Sequence, residues 1–93
     1  MARGNHPNVE RLLFRIITVV VDKSNDVNVV SVTADTGTIF QVSVAPSDVG
    51  KVIGKDGRTA RALRVLLSAF GVSLKTRYGL DIVTKNDPSL RLL

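Results

Sequence analysis

Gly54-Lys55-Asp56-Gly57 sets two glycines around a lysine and an aspartate, with the apolar pair Val52-Ile53 just before them. Glycine tolerates left-handed backbone and lets another backbone come close. Five basic residues, Lys51, Lys55, Arg58, Arg61 and Arg64, crowd this stretch against one acid, Asp56. A helical pattern precedes it from Ser47 and a longer one follows from Arg58, so the glycines mark a sharp joint between two helices. Amide groups at the start of the second helix suit an anion. The chemistry this predicts is a grip on a phosphate backbone. Asp56 opposes phosphate and is read instead as the cap of the next helix, worth about 0.5–2 kcal/mol.

Catalysis finds little support. Gly50-Lys51-Val52-Ile53-Gly54-Lys55 resembles a phosphate-binding P-loop only superficially. That motif needs four residues between its glycines and a Ser or Thr after the lysine, whereas here there are three, and Asp56 follows. The one histidine, His6, lies in the lead-in, and the acids show no metal-ligand spacing. Cysteine is absent, which excludes disulfides and thiolate metal sites. The reading is therefore a non-enzyme without cofactor or metal. A formal charge of +5 on 93 residues points to an acidic partner, most often nucleic acid. The apolar run Leu12–Val21 is interrupted by Arg15 and Thr18 and is too short to cross a membrane, so a soluble cytoplasmic protein is expected.

The elements that position the joint follow from periodicity. Asn8 is placed to cap a helix. Val9, Leu12, Leu13, Ile16, Ile17 and Val20 recur at threes and fours. Phe14 and Val21 widen that face, either as more core or as a partner surface. Val27 to Ala34 reads as a strand whose alternation changes phase between Val29 and Val30, implying a bulge or a late start. Asp35-Thr36-Gly37-Thr38 is a turn. Ile39 to Val44 follows as a second strand, with Phe40, Val42 and Val44 on one face. Ser47 is a plausible cap for a short helix with Val49, Val52 and Ile53 on its apolar side. Beyond the joint, Ala60, Leu63, Leu67 and Phe70 mark a helix that Gly71 would stop. Tyr78, Leu80 and Ile82 belong to a last strand. All four aromatics are read as core. The order predicts an α+β domain over residues 8–84, with a three-stranded mixed sheet and three helices on one face. Residues 1–7 form a lead-in and residues 85–93 a tail.

Val52-Ile53-Gly54-Lys55-Asp56-Gly57 resembles the signature of the KH domain, an RNA-binding module, and the element order resembles its type II form (α-β-β-α-α-β). The stretch from Pro46 to Ala60 is similar to the small bacterial single-KH proteins of the KhpA (YlqC) family. The resemblance runs from about Val9 to Val83. It implies binding of single-stranded RNA, with single-stranded DNA tolerated, and a clamp on about four nucleotides. The implied RNA-binding residues are Gly50, Lys51, Val52, Ile53, Gly54, Lys55, Asp56, Gly57, Arg58 and Arg61. Gly50 and Val49, with Val52 and Ile53, would floor a groove for bases, although Val52 and Ile53 also read as core. Arg64 is either a further contact or a solvated residue. The family also implies RNA chaperoning or post-transcriptional control affecting cell shape, a homodimer, and a heteromer with a second KH protein of the KhpB (Jag) type. The alternative reading is a protein-interaction module with the glycine joint in its interface.

Overall fold

The computed structural model describes residues 6–85 and 87–91. Helix α1 (His6–Val20) buries Val9, Leu13 and Ile17, spaced four apart, and Val21 just beyond its end. Leu12, Phe14 and Val20, expected on the same face, are exposed. The core stripe is thus narrower than the apolar pattern, and Phe14 is not a core aromatic. The helix begins before Asn8 and takes Pro7 into its first turn, where a missing N–H costs nothing.

Strands β1 (Asn28–Ala34) and β2 (Gly37–Val44) form an antiparallel hairpin closed by Asp35-Thr36. Their register runs unbroken from Asn28 opposite Ser43 to Ala34 opposite Gly37 and crosses the phase change, so the expected bulge or late start is absent and the second set of valines simply faces outward. Val29 lies opposite Val42, and cross-strand partners share a face. Because Val42 is buried, the hairpin must place Val29 on the core side, and Val30 and Val32 project into solvent. Strand β3 (Tyr78–Thr84) lies parallel to β2 and buries Tyr78, Leu80 and Ile82 as expected. The rings of Phe40 and Tyr78 meet edge to face at 5.1 Å.

The mixed three-stranded sheet and its three helices therefore match the type II expectation. The tail adds a fourth strand. Strand β4 (Asp87–Arg91) runs antiparallel to β3, giving the order β1-β2-β3-β4. Pro88 is compatible with this outer strand, where not every N–H needs a partner. Residues 1–5 of the lead-in and Asn86, Leu92 and Leu93 of the tail lie outside the described residues.

Helices α2 (Val49–Ile53) and α3 (Arg58–Leu74) carry the joint between them. Helix α3 buries Ala60, Leu63, Leu67 and Gly71 against the sheet; a fully buried Leu contributes about 1.5–3 kcal/mol. It continues through Gly71, contrary to the expected stop. The chain turns instead at Lys75, which is left-handed (φ 56°). The Thr76 N–H donates to the Gly71 carbonyl at 3.0 Å, a closure in which the chain folds back over the last turn. A Cβ on Gly71 would lie 2.5 Å from the Thr76 carbonyl oxygen. Gly71 is needed for close approach, one turn before the helix ends.

Candidate nucleic-acid interface

The joint is built from three successive departures from right-handed backbone. Helix α2 closes with the Gly54 N–H donating to the Gly50 carbonyl at 2.9 Å. Gly54 then adopts φ 81°, ψ 167°, a region essentially reserved for glycine. Asp56 (φ 57°) and Gly57 (φ 74°) follow with positive φ. A Cβ on Gly54 would strike Thr59, at 2.4 Å from its Oγ1 and 2.8 Å from its backbone nitrogen. A Cβ on Gly57 would meet only Arg61, at 3.7 Å. The first glycine seats the loop on the following helix; the second supplies backbone freedom at an open surface.

Asp56 does not cap α3. The N-cap position belongs to Gly57 and has no side-chain hydrogen bond. The left-handed turn puts Asp56 one residue too early, and what it contributes is its carbonyl, which accepts from Arg61 Nη2 at 3.0 Å. First-turn amides of a helix have no partner within the helix, and here no capping side chain supplies one.

The basic residues divide into distinct roles. Lys55 and Arg58 are exposed and, among the described residues, their side chains form no hydrogen bond or ion pair, although the Arg58 backbone N–H donates to the Lys55 carbonyl. Arg61, also exposed, braces the loop. Arg64 is half-buried, and its Nη2 donates to the Leu80 carbonyl at 3.1 Å, tying α3 to β3. Lys51 is engaged in ion pairs at the surface. Its ammonium lies 3.1 Å from Asp22 and 3.7 Å from Asp48, so its charge is already matched, in contrast to the expected phosphate contact. The hydrogen bond and charge of Asp22 hold the Lys51 ammonium above its ordinary pKa.

The residue that sequence reasoning missed is Asp48. It is 1% exposed, and its carboxylate accepts the backbone N–H groups of Lys23 at 2.9 Å and Asp22 at 3.1 Å. Those two bonds, the Lys23 one first, hold its carboxyl below the ordinary range. Asp48, and not Ser47, occupies the N-cap position of α2, yet its side chain caps no amide of that helix. It fastens the start of α2 to the loop after α1. The available signal was its position three residues before Lys51.

The apolar members also separate. Val52 is wholly buried and offers no surface to a base, so it belongs to the core and not to a groove floor. Val49 and Ile53 are half-buried against that core, and Gly50 is exposed with open space above it. Along β3, the edge away from β2 is paired with β4 at Val83 and Thr84. Among the described residues there is no cluster of metal-ligating side chains, and no helix is long and apolar enough to cross a membrane.

Residues 10–82 match the family model described as KhpA/KhpB, KH domain. The RNA-binding protein KhpA of Treponema pallidum (strain Nichols) is 47% identical over 74 residues, covering 80% of this chain and 92% of that protein. The RNA-binding protein KhpA of Streptomyces coelicolor is 44% identical over 63 residues, covering 68% and 80%. That of Bacillus subtilis (strain 168) is 39% identical over 75 residues, covering 81% and 93%. No solved structure matches the chain at a significant level.

Proposed function

The chain belongs to the KhpA/KhpB KH-domain family, and on that premise we propose that it binds single-stranded RNA at the joint between α2 and α3. The observation that carries this reading is the pairing of two unengaged cations, Lys55 and Arg58, with a loop whose backbone is held in left-handed geometry by Gly54 and Gly57. Lys55 supplies a mobile charge on the loop and Arg58 a forked donor at the start of α3, beside amides that no side chain caps. Gly50 and Ile53 border the path on the α2 side. Lys51, Val52 and Asp56 act indirectly, by holding this geometry. Binding is dominated by phosphate contacts and is steeply salt-dependent. The role is RNA chaperoning or post-transcriptional control in the cytoplasm, without catalysis.

The test is fluorescence anisotropy of a labelled single-stranded RNA with a Lys55→Asp, Arg58→Ala double variant whose circular dichroism and melting match the parent. A large loss of affinity is expected; unchanged affinity would sink the assignment.

A second reading, self-association, is favoured by a different surface. Leu12 and Leu74 with Phe70 line an apolar depression of about 280 Å³ between α1 and α3, and Leu66 nearby on α3 is exposed. A second copy, or a KH protein of the KhpB type, would cover it. Sedimentation of a Leu12→Glu, Leu66→Glu variant tests this: unchanged mass relative to a dimeric parent would remove this face from the interface.

A further inference from the structure

Helix α3 carries a row of exposed residues that its packing on the sheet does not use. Arg58, Arg61, Val65, Ser68 and Val72 follow one another at spacings of three, four, three and four, and every one is exposed, as is Lys75 at the left-handed turn just beyond the helix. Such spacing puts the five helical residues on one side of the helix. Val65 is 65% exposed and Val72 82%, high values for valines in mid-helix. Cations stand at the two ends of the row, with apolar and hydroxyl side chains between them.

The row runs from the glycine joint into an open cleft of about 1010 Å³ at the opposite end of α3. Ser68, Val72 and Lys75 form one wall. The others are the hairpin turn around Thr36 and the segment Thr76-Arg77. The lining is rich in hydroxyls. Two cations, Lys75 and Arg77, face one carboxylate, Asp35, and among the described residues none of these three charged groups has an ion pair. The cleft has a fixed floor, since the Thr38 N–H donates to the Arg77 carbonyl at 2.8 Å and Gly71 lets Thr76 pack directly on α3.

We infer that this row and cleft are a second RNA-binding surface, which takes the phosphates and riboses of the same strand after it leaves the joint. The inference rests on the RNA reading above and extends it beyond the loop. Phosphates would meet Arg61 at one end and Lys75 and Arg77 at the other; ribose hydroxyls suit Ser68 and Thr36; base faces would lie over Val65 and Val72. Sixteen residue steps separate Arg58 from Leu74, about 24 Å at about 1.5 Å each. A stacked strand advances about 3.4 Å per nucleotide, so the cleft lies roughly seven nucleotides from the joint, fewer if the strand is extended.

The experiment compares RNA oligonucleotides of about four nucleotides, the length one KH loop clamps, with others of about twelve, on the full chain. The parent is expected to bind the longer one more tightly. Lys75→Asn with Arg77→Gln, which keeps a residue tolerant of left-handed backbone at position 75, should cost the longer RNA about tenfold and flatten its salt slope by about 1.4, or 0.7 per lost phosphate contact. The short RNA should be unaffected. Val65→Glu on the exposed row should reproduce the length-selective loss. Equal losses on both lengths, or none on the longer one, overturn the proposal. So does a Val65→Glu variant that changes sedimentation mass while leaving the longer RNA's affinity intact, because the row would then be a protein contact. If the short RNA is insensitive to Lys55→Asp while the longer one depends on Lys75, the joint assignment fails and the second surface stands.

Discussion

A Cβ placed on Gly54 would lie 2.4 Å from Oγ1 of Thr59, the second residue of the helix that follows. Gly54 also holds a φ/ψ pair open essentially to glycine alone. The second glycine of the motif, Gly57, sits in ordinary left-handed geometry with open space beside it. The two glycines are therefore not equivalent. Gly57→Asn should fold with a loss under about 1 kcal/mol, because asparagine visits left-handed backbone at low cost. Gly54→Asn should lose more than about 2 kcal/mol, since strain and collision add. Urea denaturation of the two variants measures the difference; equal losses would mean that the contact with Thr59 relaxes freely.

Stability should fall at both ends of the pH range, for different groups. The folded pKa of Asp48 lies below its ordinary 3.8, so its contribution is full above 3.8 and is lost as pH drops through the folded value. The folded pKa of Lys51 lies above its ordinary 10.5, so its contribution is full below 10.5 and is lost as pH rises through the folded value. Asp48→Asn should therefore flatten the acid limb of a melting-temperature profile and lower its plateau. Asp22→Asn should mainly affect the alkaline limb through Lys51. An acid limb unchanged by Asp48→Asn would place the titrating group elsewhere.

Lys51 and Lys55 are indistinguishable by type and differ only in what surrounds them. Lys51→Ala removes the partner of Asp22 and Asp48 and should lower thermal stability while leaving the salt slope of RNA binding nearly unchanged. Lys55→Ala, with no partner to lose, should leave melting unchanged and reduce that slope by about 0.7. The reverse pattern would mean that Lys51 exchanges Asp22 for phosphate when RNA arrives.

This pair shows where sequence was sufficient and where it was not. Local spacing made the joint, the hairpin and the inward faces of β2 and β3 legible, because Phe40, Val42, Leu80 and Ile82 alternate with polar residues. Partners distant in sequence were not legible. Asp48 meets Lys23 twenty-five residues away, and no periodicity reports such a contact. The phase of β1 was ambiguous for the same reason, since only the pairing of Val29 with Val42 decides it. The apolar face of α1 was read as wider than the core it serves. An exposed valine and a buried one look alike until the sheet beneath is in place. In the tail, the aspartate and proline of Asp87-Pro88 signalled a break, and the available edge of β3 prevailed.

Gly71 provides the last test, because helix propensity and packing predict opposite signs there. In a helix interior, glycine to alanine ordinarily gains about 0.5–1 kcal/mol. Gly71 is interior, three residues before the end of α3, and the generic expectation is that Gly71→Ala stabilises. Its Cβ would, however, meet the Thr76 carbonyl oxygen at 2.5 Å. That carbonyl belongs to the segment that closes the helix and leads into β3, and Thr76 is itself held by its N–H bond to the Gly71 carbonyl. Relief requires moving the Lys75 turn away from α3, which breaks that bond and disturbs the entry of Tyr78 into the sheet. Gly71→Ala should therefore destabilise by about 1–3 kcal/mol, as overpacking does elsewhere, and chemical denaturation would measure it. A stabilised variant would show that the turn yields, and that Gly71 is not needed for the closure of α3.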